Sequence, residues 1–549
     1  MKTKFDADKF IYIGLSSIFM VIFIPVLFCI FMFGNTMDYN TVNKLIAIYG
    51  NKRLALFSLL ILFALFAVFW FFRKVEQKKR TTIITVVSLS VAFLLLYFIN
   101  EEICKCIWFP QGWDVSCVVG TAYSLGSGIP IGTDTYYSMY PNNVPMAYIL
   151  YRLYSWASHA AGYPYKADFL WLQVICAMIS IAGFAVCMTV RKLTDNLGAV
   201  LACFLLYVAS IGISPWKTVP YTDMYAMMFP ILCLCLYVHY YYAKKTSARI
   251  IYFFFAFLTG VIGSLVKPTV MIVPVAIVLL ELVYMFLHIK QEWKGALVKL
   301  GLILITVLLY KGALNLIYED TGYIQNKEIS ATWHHYLVMG LNQDTTGSYS
   351  SEDAALIGQH PVRAERKEVQ MHIAAERIKE LGLAGYLKFL LTKTVMTFND
   401  GTFNWGREGV FYIGKYPVLS KGPGEYVMAL QNTFWPQHKY SGQFNTYCQT
   451  VWLAILLGLP GLCLCKKRDR SLQVILVSIL GIVLYLMLFE ARARYLLCFT
   501  PVFILAAVIG MVRYYELLQN FVKRGRVLYN NRIKQADMQA SQKKNTEEM

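Results

Sequence analysis

Long apolar runs recur along this chain of 549 residues. A helix rises about 1.5 Å per residue, so about 20 residues cross a hydrocarbon layer about 30 Å thick. Lipid offers no partner to backbone N–H and C=O groups, so a run placed there closes its own hydrogen bonds as a helix. The pattern predicts an all-α polytopic membrane protein with about twelve spans, at 10–33, 54–72, 82–99, 168–190, 197–213, 222–243, 250–266, 269–288, 296–317, 446–465, 471–489 and 495–512. The first run is too long for a signal-peptide core and lacks a small-residue cleavage site, so it is expected to stay. Composition agrees: 57% of residues are hydrophobic and 15% charged, against about 25% charged in a soluble domain. An ordinary soluble enzyme, a coiled coil and a disordered chain are excluded.

The net charge is +19, from 51 Lys and Arg against 32 Asp and Glu. With the N-terminus inside, the segments 1–9, 73–81, 191–196, 244–249, 289–295, 466–470 and 513–549 fall on the cytoplasmic side. They are far richer in Lys and Arg than 34–53, 100–167, 214–221, Lys267 and 490–494 on the other side. That asymmetry follows the positive-inside rule. It predicts a cell-membrane protein with both termini cytoplasmic, a lipid bilayer as partner and no nucleic acid. The apolar stretch 144–160 has Arg152 in its middle, which is costly in lipid. It reads as an amphipathic helix in the outer interface.

The expected divisions are an N-terminal two-helix extension (1–81), a core module (82–317) with a first outer loop (100–167), a mainly helical extracytoplasmic domain (318–445), C-terminal spans (446–512) and a basic cytoplasmic tail (513–549). Within the outer domain, 361–395 has helical apolar spacing and a break near Gly382 and Gly385. The tail from about Lys523 is polar and reads as frayed. The 13 cysteines lie mostly in apolar runs and act as small hydrophobes. Cys104, Cys106 and Cys117 lack zinc spacing, and His334-His335 lacks further ligands, so both histidines read as surface or interface residues and no metal site is expected.

Polar groups next to the membrane gather on the expected outer face. They include Asp114 in W-D-V, the Y-Y-S-M-Y-P-N-N run with Tyr140, Asn142 and Asn143, then Tyr221 and Asp223 in P-Y-T-D, Lys267, and the group Glu490, Arg492 and Arg494. Carboxylates can deprotonate a hydroxyl. Arg and Lys can hold a lipid phosphate. Aromatic and Asn side chains can bind a sugar. The set suits group transfer from a lipid-linked phosphate donor. Each residue also has a plainer reading. Asp114 and Asp223 could cap helices, the arginines could anchor to headgroups, and P-N-N is turn chemistry. Two arginines at i and i+2 of a helix point in different directions.

Taken in order, these segments resemble the GT-C superfamily of integral membrane glycosyltransferases that use polyprenyl-phosphate-linked sugars. The likeness is greatest to a Gram-positive group distantly related to protein mannosyltransferases and the aminoarabinose transferase. It runs from about residue 82 to 515. It is carried by W-D-V with Asp114, Val118 and Ala122, Y-P-N-N (Tyr140 to Asn143), P-Y-T-D (Pro220 to Asp223), V-K-P-T (Val266 to Thr269), H-Y-L-V-M-G-L-N (His335 to Asn342), G-S-Y (Gly347 to Tyr349), N-D-G-T-F-N-W (Asn399 to Trp405) and E-A-R-A-R-Y-L (Glu490 to Leu496). The first two spans lie before the matching part.

The resemblance implies a GT-C-like bundle whose extracytoplasmic site transfers a sugar from a polyprenyl-phosphate donor to a cell-envelope glycan, lipid or protein, with inversion. It implies Asp114 as catalytic base, with Asp223 next. It also implies a lipid-phosphate clamp of Arg494, Arg492 and Lys267. Tyr140, Asn142, Asn143, Tyr221 and Glu490 are the expected substrate contacts. No cofactor is implied and no divalent metal is indicated. The rival readings are a polysaccharide polymerase or ligase, a lipid-linked sugar transporter or flippase, and a non-catalytic wall-assembly scaffold.

Overall fold

The computed structural model describes residues 6–34, 36–37, 47–75, 79–109, 112–161, 166–194, 196–408, 424–466 and 468–547. Parts of several expected loops, chiefly 38–46 and 409–423, lie outside the described residues. Among the described residues the architecture is all-α, with one isolated β-bridge between Gly132 and Tyr323. Among the described residues, ten helices are long and apolar enough to cross a bilayer: Ala7–Phe33, Asn51–Phe72, Arg80–Ile107, Phe169–Leu193, Thr222–Tyr242, Thr246–Val266, Pro268–Leu287, Trp293–Asp320, Arg470–Leu488 and Ala493–Gln535. Their outward faces carry exposed large apolar side chains. On Asn51–Phe72, for instance, Leu56, Leu60 and Phe63 are exposed while Leu54 and Phe69 are fully buried. Apolar surface of this extent matches lipid as the solvent.

Two expected spans fall short of that measure. The run at 197–213 forms the shorter apolar helix Leu197–Gly212, which Ser214 and Pro215 end by starting a 3-10 turn. The run at 446–465 lies in Ser441–Leu462, a helix of 22 residues whose first half (SGQFNTYCQT) is polar. The stretch 144–160 forms the helix Val144–Ala161, outside the ten. Its Val144, Met146, Ala147 and Leu150 are fully buried, while Arg152 points outward to an exposed ion pair with Asp320. The tail is not frayed: a single helix runs from Thr500 to Glu547.

The region 318–445 does not stand apart from the bundle. A small cluster of Val338, Leu341, Leu356 and Ala374 is its own. Others of its apolar side chains, including Phe398, Phe403, Trp405, Phe434 and Trp435, belong to the main core together with the span residues. The helix Arg363–Phe398 makes that connection. It breaks at Gly382 (φ 58°, ψ 178°), a left-handed value that glycine adopts without strain. Beyond the break it enters the bundle, where Phe398 meets Phe23 and Phe503 edge-on at 5.6 Å each.

Candidate functional site

Three non-helical segments meet at one end of the bundle. The first follows Arg470–Leu488. Its chain is extended through Arg492 (φ −149°, ψ 155°) and then enters the 3-10 helix Ala493–Phe499. The turn from extended chain at Arg492 into the 3-10 helix brings Arg492 and Arg494 onto one carboxylate, unlike the divergence of residues at i and i+2 of an α-helix. The Nη1 of Arg492 donates to Glu408 Oε1 at 3.0 Å, and the Nη1 of Arg494 donates to Glu408 Oε2 at 2.7 Å. Glu490 accepts from the Tyr495 hydroxyl at 2.8 Å and pairs with Arg492 at 3.7 Å.

Sequence reasoning missed Glu408. It lies in the helix Trp405–Glu408 and is fully buried. The motif before it, N-D-G-T-F-N-W, explains how it arrives there. Asp400 Oδ1 accepts from the Thr402 N–H and hydroxyl at 2.7 Å each, and Oδ2 accepts from Asn404 N–H at 2.9 Å. These bonds hold Phe403 and Asn404 in left-handed conformations (φ 54° and 66°), which are unfavourable for L residues. The amide of Glu408 then donates to Asn404 O at 2.7 Å.

The second segment crosses Pro215–Thr218 and starts the helix Thr222–Ala226 with Tyr221 at the N-cap. Asp223 sits in the first turn, not at the cap. Its carboxylate pairs with Lys267 at 2.9 Å and with Arg494 Nε at 3.6 Å. Lys267 is placed by Pro268, which breaks the chain between two spans and leaves Lys267 extended. Burial pulls the Lys267 pKa down, but Asp223 outweighs it, so the ammonium is held above its ordinary value.

The third segment enters the helix Trp113–Gly126. Gly112 is its N-cap, so Asp114 is not a cap either. Trp113 is left-handed (φ 55°), a strain that for a bulky residue needs support from its surroundings. The Arg494 guanidinium lies 4.9 Å from the Trp113 ring and supplies part of it. The Tyr221 hydroxyl lies 3.4 Å from both Asp114 Oδ2 and Asn143 Oδ1. Asn143 donates to the Tyr136 hydroxyl at 2.7 Å. Pro141–Asn143 is a 3-10 turn, as the P-N-N signal suggests, and this turn borders the cavity.

Asp114, Asp223, Arg492, Arg494, Lys267, Tyr140, Asn142, Asn143, Tyr221 and Glu490 all line one cavity of about 960 Å³. That volume is near the upper end for a small-molecule pocket. Tyr136, Tyr336, Tyr349, Tyr485 and Tyr495 add aromatic faces to its walls. His335 lines it too, and is buried instead of lying at the surface. Burial lowers its pKa to about 4, so it is neutral at ordinary pH. Lys393 was also missed. It is fully buried, and its Nζ donates to Gly340 O, Met487 O and Phe489 O at 2.7, 3.1 and 2.6 Å. It thereby ties the C-terminal ends of two helices together just before Glu490.

The carboxylates are not equivalent. Glu408 is engaged by two arginines, and Asp223 lies between Lys267 and Arg494. Asp114 is partly exposed and accepts one long bond, at 3.4 Å, from the Tyr221 hydroxyl. Of these three carboxylates, Asp114 is the most exposed. No curated protein and no solved structure matches the chain. Its residues 10–514 match the family described as conserved hypothetical integral membrane protein, and the chain belongs to that family of integral membrane proteins.

Proposed function

We propose that the protein is a membrane glycosyltransferase of the GT-C type, drawing its sugar from a polyprenyl-phosphate donor. The observation that carries this reading is the joint lining of one cavity by a partly exposed carboxylate, Asp114, and three cations, Arg492, Arg494 and Lys267. The acceptor hydroxyl loses its proton to Asp114. Its oxygen attacks the anomeric carbon from the side opposite the phosphate, and the anomeric C–O bond breaks. Polyprenyl phosphate leaves with the electron pair, and the anomeric centre inverts. The cations stabilise the charge that grows on the departing phosphate oxygen. The tyrosine-rich walls suit the apolar faces and hydroxyls of a sugar. The polyprenyl tail lies in the bilayer.

The charge asymmetry of the loops supports an extracytoplasmic cavity with both termini cytoplasmic. The acceptor is then a glycan, lipid or protein of the cell envelope. The test is sugar transfer by the purified full chain in nanodiscs. It would be given a panel of polyprenyl-phosphate sugars and an envelope extract. Released polyprenyl phosphate together with a glycosylated product supports the reading. Transfer from pyrophosphate-linked donors alone would replace it with a polymerase or ligase. Movement of lipid-linked sugar across liposomes without transfer would replace it with a transporter.

A further inference from the structure

The first two helices, Ala7–Phe33 and Asn51–Phe72, lie before the part of the sequence that resembles known transferases. They nevertheless reach the site through a buried set of amides. Asn51, the first residue of the second helix, donates from Nδ2 to Ile30 O at 2.8 Å and to Asn399 Oδ1 at 2.6 Å. Asn399 donates in turn to Gly34 O at 2.7 Å. Gln449 donates from Nε2 to Asn51 Oδ1 at 3.1 Å and to Asn399 Oδ1 at 3.3 Å. Its Oε1 accepts from the Gly401 N–H at 2.8 Å. Asn51, Asn399 and Gln449 are all at most 2% exposed. Gly34 is required where it stands: a Cβ there would lie 2.7 Å from Asn399 Oδ1 and 2.8 Å from Asn51 Nδ2.

Asn399 and Gly401 flank Asp400, whose carboxylate holds the left-handed pair Phe403 and Asn404. That turn delivers Glu408, and Glu408 holds both arginines. We propose that the N-terminal helix pair is a positioning element of the cavity, acting through Asn51, Asn399 and Gln449 to fix the Asp400 turn, Glu408 and so the arm bearing Arg492 and Arg494. Buried amides of this kind are costly when unpaired. Loss of one partner is therefore felt along the chain of contacts, not only where it occurs. The family match beginning at residue 10 is consistent with the pair being integral to the protein. The inference does not depend on which ligand the cavity takes.

The test is backbone hydrogen exchange, followed by mass spectrometry on the full chain in nanodiscs. Asn51→Leu is expected to speed exchange across 400–408 and 490–496 on the order of tenfold, the effect of losing about one buried hydrogen bond. Exchange across 228–242 stays at the wild-type rate. If Asn51→Leu does not fold, Asn51→Asp replaces it, since it keeps the acceptor and loses the donor. In a Glu408→Gln background, adding the Asn51 change should leave 490–496 no faster than Glu408→Gln alone, because both act through the same contact. Faster exchange confined to 30–51, or additive effects at 490–496, would overturn the proposal.

Discussion

Buried ion pairs occur at both ends of the helical bundle, and the two sets face different things. The helix Arg470–Leu488 runs between them, with Arg470 at one end and Glu490 just beyond the other. At the Arg470 end, Glu281 pairs with Lys299 and Arg470, and accepts from the Tyr237 hydroxyl at 2.7 Å. Arg470 lies 3.9 Å from the Tyr284 ring. Asp469 is bonded to Tyr242, and Asp8 to Tyr284. These charges face one another and tie five helices together, and none of them lines the cavity. At the other end, Asp223, Glu490, Lys267, Arg492 and Arg494 are also paired, but they border a space large enough for a ligand. The same side-chain chemistry thus makes a staple where it is closed on itself and a site where it is left open on one side.

The comparison is sharpened first by Glu408. Glu408→Ala leaves two buried guanidiniums without their shared partner, and removing one member of a buried pair typically costs about 3–5 kcal/mol. Chemical denaturation in detergent should show that loss. A loss below about 1 kcal/mol would mean that the arginines find other partners and that the arm is not held as described.

His335 tests the electrostatics of the cavity wall. Its folded pKa, about 4, is depressed below the ordinary value of 6.5 by burial. The unfolded chain therefore binds more protons in that window. The stability contribution is complete above about pH 6.5 and is lost as pH falls toward 4, by at most about 1.4 kcal/mol per pH unit. His335→Gln should flatten that part of the stability profile. An unchanged slope would assign it to other groups. The smallest effect belongs to Arg152. Its pair with Asp320 is exposed on both sides, so Arg152→Ala should change the melting behaviour by less than about 1 kcal/mol.

Much of this was legible in the sequence, because the bilayer imposes a strict length and polarity rule on each span. The ten residues singled out for the site do line one cavity, and all had been placed on the same expected side of the membrane. What escaped was decided by local geometry. The convergence of Arg492 and Arg494 depends on the turn from extended chain into a 3-10 helix at Arg492, which a short segment between two spans does not reveal. Glu408 was hidden because four consecutive residues, W-G-R-E, carry no period. Lys393 sits in a helix of charged and apolar residues that reads as an ordinary amphipathic one, and its partners Gly340, Met487 and Phe489 are distant in sequence. The region 318–445 looked independent by length and polarity, yet Phe398, Phe403, Trp405, Phe434 and Trp435 from it help to complete the core of the bundle.

The central claim is that the open set of charges does chemistry and the closed set does not. The direct measurement is transfer from a polyprenyl-phosphate sugar by wild type, Asp114→Asn and Glu281→Gln, with donor binding followed in parallel. Asp114→Asn should bind donor as wild type does and lose transfer by about 10²–10⁴-fold, the usual contribution of a general base. Glu281→Gln should keep wild-type transfer per folded molecule. Equal transfer by Asp114→Asn and wild type, or equal loss in both variants, would contradict the account.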